Sequence, residues 1–204
     1  MRIPMLMFCA LCASVPAAAQ VTSAISSLGD DQLITVDQSA ATGGSVVIDQ
    51  IGSGDQTVVF QQGDVNELDA LIVGNDQMHR IDQRGQSSNR TWLYSFGSAN
   101  SSTILQDGVA GGANEINLIQ SGANNIATLE QYAASSGLNS ITLTQNGNDN
   151  DASLTQNGTD NAITLTQNGD ANSANVTQNG TGLGFTLTQD GGAQIIVTQT
   201  SPGG

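Results

Sequence analysis

The chain has 204 residues, with four basic side chains, eighteen acidic ones and a single histidine, for a formal net charge of −14 at neutral pH. So acidic a chain, with no lysine at all, is a poor partner for nucleic acid or an anionic membrane surface. Only 3% of residues are aromatic while Gly, Asn, Gln, Ser and Thr abound; composition alone would suggest disorder, but the order in which these residues recur excludes it.

Residues 1–19 read as a secretory signal peptide. Arg2 supplies the positive start, an apolar run extends from Ile3 to Val15, and Ala17, Ala18 and Ala19 offer a small-residue cleavage site. A buried N-terminal helix is the competing reading. The apolar run is too short for a membrane-spanning helix, and no later stretch approaches the roughly 20 apolar residues a span requires. Both cysteines, Cys9 and Cys12, lie inside this segment. Removing it leaves Arg80, Arg84 and Arg90 against the eighteen acids, a net charge near −15. A mature chain without cysteine persists in an oxidising exterior without a disulfide.

Residues 20–35 form an N-terminal segment, 36–113 an irregular array of repeats, 114–199 a regular array, and 200–204 a tail. In chain order the predicted strands end at Gln38, Gln50, Gln61, Ile72, Gln83, Ser95, Gln106, Gln120, Gln131, Gln145, Gln156, Gln167, Gln178, Gln189 and Gln199. Most steps are of eleven residues; two of fourteen place their extra residues near Gly108 to Gly112 and Ala133 to Gly137, in turns where loop growth costs little.

Within a unit, glycine falls two places after the glutamine, asparagine five places after, and aliphatic residues follow on alternate positions. That is the period-two signature of a strand after a tight turn. The turn glycines are Gly122, Gly147, Gly158, Gly169, Gly180 and Gly191, most of them preceded by asparagine, a pairing suited to positive φ. Two strands and two turns make a coil of about 22 residues whose neighbours stack about 4.8 Å apart. The fold class is therefore all-β: a β-solenoid of about seven two-strand coils with amyloid-like cross-β stacking.

The stacking gives the amides a role. A buried amide without a partner costs roughly 1–3 kcal/mol, whereas identical amides in register donate and accept along a ladder. The expected ladder residues are Gln120, Gln131, Gln145, Gln156, Gln167, Gln178 and Gln189, with Asn125, Asn139, Asn150, Asn161 and Asn172. Gln145 should lie over Gln167 and Gln189, and Asn150 over Asn172. The first half departs from the pattern: Ile72 and Ser95 replace glutamine, Asp55 and Gln77 replace asparagine, and His79 points inward beside Ile81.

The half-repeat Q-x-G-x-x-N-x-A-x-x-x-Q resembles that of the curlin family, the subunits of bacterial curli fibres. It is carried by Gln120, Gly122, Asn125, Ala127 and Gln131, again by Gln145, Gly147, Asn150, Ala152 and Gln156, and by Gln167, Gly169, Asn172, Ala174 and Gln178. The resemblance implies a secreted subunit, exported through an outer-membrane channel and polymerised at the bacterial cell surface into functional amyloid of the biofilm matrix. It also implies a nucleator protein as partner and a secretion-targeting role for residues 20–35, although the long glycine-rich form of that segment is lacking here. The regular, base-free terminal coils resemble the major fibre subunit. Ser88-Asn89-Arg90 and the irregular first half keep the minor, membrane-associated nucleator open.

Two further readings compete. Thr142 with Thr144, Thr164 with Thr166, and Thr186 with Thr188 recur every twenty-two residues and would stack as a Thr-x-Thr face, as in solenoid ice-binding proteins; the preceding equivalents, Thr128 with Glu130, and Ser102-Thr103 near Leu105, break the array. An enzyme would need clustered acids or bases on one face, and the sequence offers one histidine and scattered turn carboxylates, so no enzyme, metal or cofactor is expected. Asp149, Asp151, Asp160, Asp170 and Asp190 are read as turn residues, either simply solvated or gatekeepers whose repulsion slows premature assembly. Arg80, Asp82 and Arg84 alternate outward as a surface charge cluster. The last coil lacks an evident cap, so self-association at the open edges is the expected mode of action.

Overall fold

A computed structural model describes residues 21–201. Those residues form fourteen strands and no helix. The strands are β1 (Val21–Asp30), β2 (Leu33–Ser53), β3 (Gln56–Asn75), β4 (Met78–Gln83), β5 (Ser88–Ser98), β6 (Ser101–Gly108) and β7 (Gly112–Ala123), then β8 (Ile126–Ala133), β9 (Gly137–Asn146), β10 (Asp151–Thr159), β11 (Ala162–Asn168), β12 (Ser173–Thr181), β13 (Gly184–Asp190) and β14 (Gln194–Thr200).

Every pairing is parallel and links a strand to the one a full coil away. The two long strands β2 and β3 turn a corner and serve both faces. One face stacks β1, the second halves of β2 and β3, then β5, β7, β9, β11 and β13; the other stacks the first halves of β2 and β3, then β4, β6, β8, β10, β12 and β14. This is the β-solenoid read from the repeat. It has eight layers instead of about seven, because Val21–Asp30 adds a strand in register with Gly44–Ser53. Ser27 stands there at the glutamine position, opposite Gln50, so the glutamine phase could not reveal it. Eight layers span about 38 Å.

Coil length varies. Stacked glutamines lie 23 residues apart from Gln38 to Gln61, 25 apart from Gln106 to Gln131 and 22 apart from Gln145 to Gln167. The longer coils absorb their additions at the corners; between β2 and β3 the extra residue shifts the register between Asp37 and Ala40.

Between the faces lies a narrow core. Ile116, Ile141 and Ile163 stack on one another, as do Leu118, Leu143 and Leu165, all at most 1% exposed. The opposite face contributes Ile104, Leu129, Leu154 and Val176, with Ala127, Ala152 and Ala174 leaving room for the facing amides. Alternation of aliphatic and polar residues places one set inside and the other in water.

Corners require left-handed backbone. The residue before the inward asparagines Asn100, Asn125, Asn150, Asn161 and Asn172 has positive φ, at Ala99, Asn124, Asp149, Asp160 and Ala171, a region asparagine and aspartate enter more easily than most residues.

Candidate functional site

Four amide ladders run through the interior, two of glutamine and two of asparagine. On the β4 face the glutamine ladder is continuous: Gln38, Gln61, Gln83, Gln106, Gln131, Gln156, Gln178 and Gln199 each pass a hydrogen bond to the next, Nε2 to Oε1, at 2.6–3.0 Å. On the β5 face Gln120, Gln145, Gln167 and Gln189 do the same at 2.9–3.0 Å. Each of these Gln amides except that of Gln38 also donates an N–H to a backbone carbonyl across the core, as Gln156 does to Ser140 and Gln167 to Asp151, both at 3.0 Å.

The asparagines run the other way. Asn172 donates to Asn150, Asn150 to Asn125, and Asn125 to Asn100, at 2.9, 3.1 and 3.0 Å. Asn139 donates to Asn114, and its own Oδ1 accepts the backbone N–H of Asn161. Glutamine dipoles thus point toward the C-terminal end and asparagine dipoles toward the N-terminal end. Opposed ladders reduce the net dipole of the stack while each bond stays charge-neutral and buried. Replacing Gln145 by alanine removes the acceptor of Gln120 and the donor to Gln167 and opens a cavity beside them. It should cost about 2–4 kcal/mol, read as a lower denaturant midpoint of the monomer.

The β5-face ladder breaks below Gln120. Gln50, Ile72, Ser95 and Gln120 form one vertical stack; Ser95 cannot reach, and Gln120 Oε1 is left without a donor. Neighbouring departures fill the gap. Gln77 occupies the asparagine position and its carbonyl accepts the Ser95 hydroxyl. His79, 1% exposed, fills a site that is alanine in the regular coils, and Nδ1 lies 2.8 Å from Ser102 Oγ. Asp55 is fully buried below Gln77 and accepts its backbone N–H at 3.0 Å. Asp55 Oδ2, Gln77 Nε2 and His79 Nε2 have no protein partner. Burial pushes the His79 pKa down to about 3 and the Asp55 carboxyl up. The sequence flagged these substitutions one by one; that they occupy one corner of adjacent coils follows only from stacking.

The turn glycines differ in what surrounds them. A Cβ on Gly122, Gly147 or Gly158 would lie 1.9–2.1 Å from the carbonyl oxygen of the glycine one coil on, and one on Gly180 would lie 1.9 Å from Ser201 Oγ. Gly169 meets only ordinary contact at 3.4 Å, and Gly191 meets nothing within 4 Å.

Four of the five aspartates tie coils together. Asp149 accepts from the Asn124 amide, Asp160 from the Leu138 backbone, Asp170 from the Asn148 backbone and Asp190 from the Asn168 amide, at 2.8–3.2 Å. Asp151 opens β10 and Asp190 closes β13, so neither lies in a turn proper. The bases are paired on the surface: Arg90 with Glu67 at 2.7 Å, Arg84 with Asp107 at 3.2 Å and Arg80 with Asp82 at 3.9 Å. Arg80 also covers the Phe60 ring, and Arg90 the Trp92 ring, at 4.9 and 5.4 Å from the centroids. Such exposed pairs contribute little to stability.

The threonine pairs do stack in three layers, Thr142 on Thr164 on Thr186 and Thr144 on Thr166 on Thr188. Below them stand Asn117 and Ile119. Thr128, Glu130, Ser102 and Thr103 belong to the opposite face, so they do not interrupt the array, which ends because Asn117 and Ile119 hold the threonine places one coil below.

Among the described residues nothing covers the end layers. Ile34 and Val36 at one end, and Phe185, Leu187, Ile195 and Val197 at the other, are inward side chains only partly buried against the core. Each end presents strands that have a partner on one side only.

Residues 158–191 match the family model described as the Curlin associated repeat. This span runs from the end of β10 through β13, and over it the resemblance drawn from the half-repeat is borne out. Among curated proteins and among solved structures nothing matches the chain.

Proposed function

We propose that this protein is a secreted, structural fibre subunit of the curli type, built to polymerise at the bacterial surface through its open solenoid ends. The observation that carries the reading is the pair of end layers, which none of the described residues caps. Unpaired strand edges are ordinarily blocked by charge, proline or a covering element; here β13 and β14 carry the regular repeat to the edge with partly exposed Phe185, Leu187, Ile195 and Val197. A head-to-tail contact between two different ends does not close, so it yields a filament instead of a dimer.

The chemistry is that of a scaffold. The one histidine is enclosed in the core, and Asp149, Asp160, Asp170 and Asp190 are engaged in holding coils together. The regular upper coils favour the main structural subunit of a matrix or adhesive fibre, with a nucleator and an export channel as its partners. Three layers of paired threonine would support ice binding only weakly, since Asn117 and Ile119 end the array.

Seeded thioflavin-T kinetics on the purified mature chain test the proposal. Preformed fibres should abolish the lag, and a chain that stays monomeric in the presence of its own seeds would refute it. With three bases against eighteen acids, a net charge near −15 in the mature chain, association works against long-range repulsion. Raising salt from about 0.02 M to about 0.5 M shortens the screening length several-fold and should shorten the unseeded lag by a comparable factor.

A further inference from the structure

We infer that consecutive subunits join in one register, with Gln199 of one copy donating to Gln38 of the next, so that a single glutamine ladder runs unbroken along the fibre. The inference rests on the head-to-tail reading above and specifies its interface.

Among the described residues only one of the four ladders reaches both end layers. The asparagine ladders end inside: Asn161 and Asn172 give their upper carbonyls to the backbone N–H groups of Leu183 and Ala193. The β5-face glutamine ladder is interrupted at Ile72 and Ser95 and meets Ser27 at the lower end, whose hydroxyl donates to Gln32 of the same chain. The β4-face ladder alone runs from Gln38 to Gln199.

Its two termini are complementary in hydrogen bonding. Internal members use both amide hydrogens, one on the next glutamine and one on a backbone carbonyl, as Gln178 does with Gln199 and Ala162. Gln199 makes only the backbone bond, to Gly184 at 3.1 Å, and so keeps one donor. At the other end Gln38 donates to Gln61, and its carbonyl accepts only the Ser23 hydroxyl at 2.6 Å, leaving the second lone pair of that oxygen. A donor at the top and an acceptor at the bottom match head-to-tail; top against top would set donor against donor.

The same register matches side-chain volumes. Following the strand pairs layer by layer places Ile195 over Ile34 and Val197 over Val36 of the next copy. On the other face the stack that begins at Ser23 ends at Phe185. The largest inward side chain at the top would meet one of the smallest at the bottom. A slip of two residues would lose the glutamine pair, and a slip of one would turn every inward side chain outward.

Cysteine cross-linking in fibres tests the register. In a chain freed of Cys9 and Cys12, the double variant Asp37→Cys with Thr198→Cys places two exposed neighbours of the ladder residues on adjacent strands across the junction. Within one molecule they lie at opposite ends, so any disulfide between them joins two chains. Oxidised fibres should give a reducible ladder of multimers for this pair. They should give none for Thr35→Cys with Thr198→Cys, which reports a two-residue slip, nor for Thr198→Cys alone, which reports top-to-top contact. Fibres that cross-link only in either control, or in none of the three, overturn the register. Absence of fibres in the cysteine-free parent overturns the assembly reading itself. As a second measure, Gln199→Ala and Gln38→Ala should each raise the critical concentration about tenfold, the worth of one hydrogen bond, beyond the change caused by Gln178→Ala, since each variant also loses an internal ladder bond, to Gln178 or to Gln61. An unchanged critical concentration in both would show that the ladder does not cross the junction.

Discussion

Alanine in place of Gly158 should destabilise the monomer by about 3–5 kcal/mol, while alanine in place of Gly191 should cost about 1 kcal/mol. The two glycines hold the same place in the repeat, and sequence gives no reason to separate them. Gly158 has φ +125° and its added Cβ would lie 1.9 Å from Gly180 O, backbone against backbone, so a coil would have to shift. Gly191 has φ +57° with nothing within 4 Å; only the left-handed strain of an L-residue applies there. Guanidinium unfolding of both variants beside the parent would show the contrast as a large and a small fall in midpoint. Equal midpoints would mean that the coils are not stacked as closely as described.

The second large effect concerns acid. Stability should fall by roughly 4–5 kcal/mol between pH 6.5 and about 3 on account of His79 alone. The sign follows from which state binds the proton. In the unfolded chain His79 titrates near 6.5, whereas the buried ring holds its neutral form down to about 3. Below pH 6.5 the unfolded state takes a proton that the native state refuses, and unfolding gains accordingly. Asp55 works in the opposite direction, since burial raises its pKa and the native state protonates first as pH falls; its window lies at and above the ordinary carboxylate value of 3.8. Urea midpoints at pH 7 and pH 4 for the parent and for His79→Ala separate the two. The variant should lose most of the fall between these pH values, whatever the cavity costs at neutral pH. An identical fall in the variant would assign the acid sensitivity elsewhere.

Fold and candidate site were legible to different degrees. A fixed period leaves little choice of architecture, because a two-strand unit buries its aliphatic face only against copies of itself. Gln145 over Gln167 and Gln189, and Asn150 over Asn172, needed only the spacing. The first strand was invisible because Ser27 replaces glutamine. The irregular corner of Asp55, Gln77, His79 and Ser95 looked like independent lapses, yet the short Ser95 and the bulky His79 belong to adjacent layers of one interior. The carboxylates of Asp149, Asp160 and Asp170 looked like solvated turn charges, and their hydrogen bonds to the neighbouring coil could not be read from a single repeat.

What the sequence determined by itself was the unit: an eleven-residue half-coil, alternation inward and outward, and amides at fixed phase. These follow from local chain geometry and from the cost of an unpaired buried amide, both of which act within a few residues. Tertiary structure decided how the units relate. It set coil lengths from 21 to 25 residues, opposed the directions of the glutamine and asparagine ladders, and let only one ladder reach both ends. Such properties depend on which atoms lie 3 Å apart across a coil, and a period in sequence fixes the neighbour but not the direction of the bond between them.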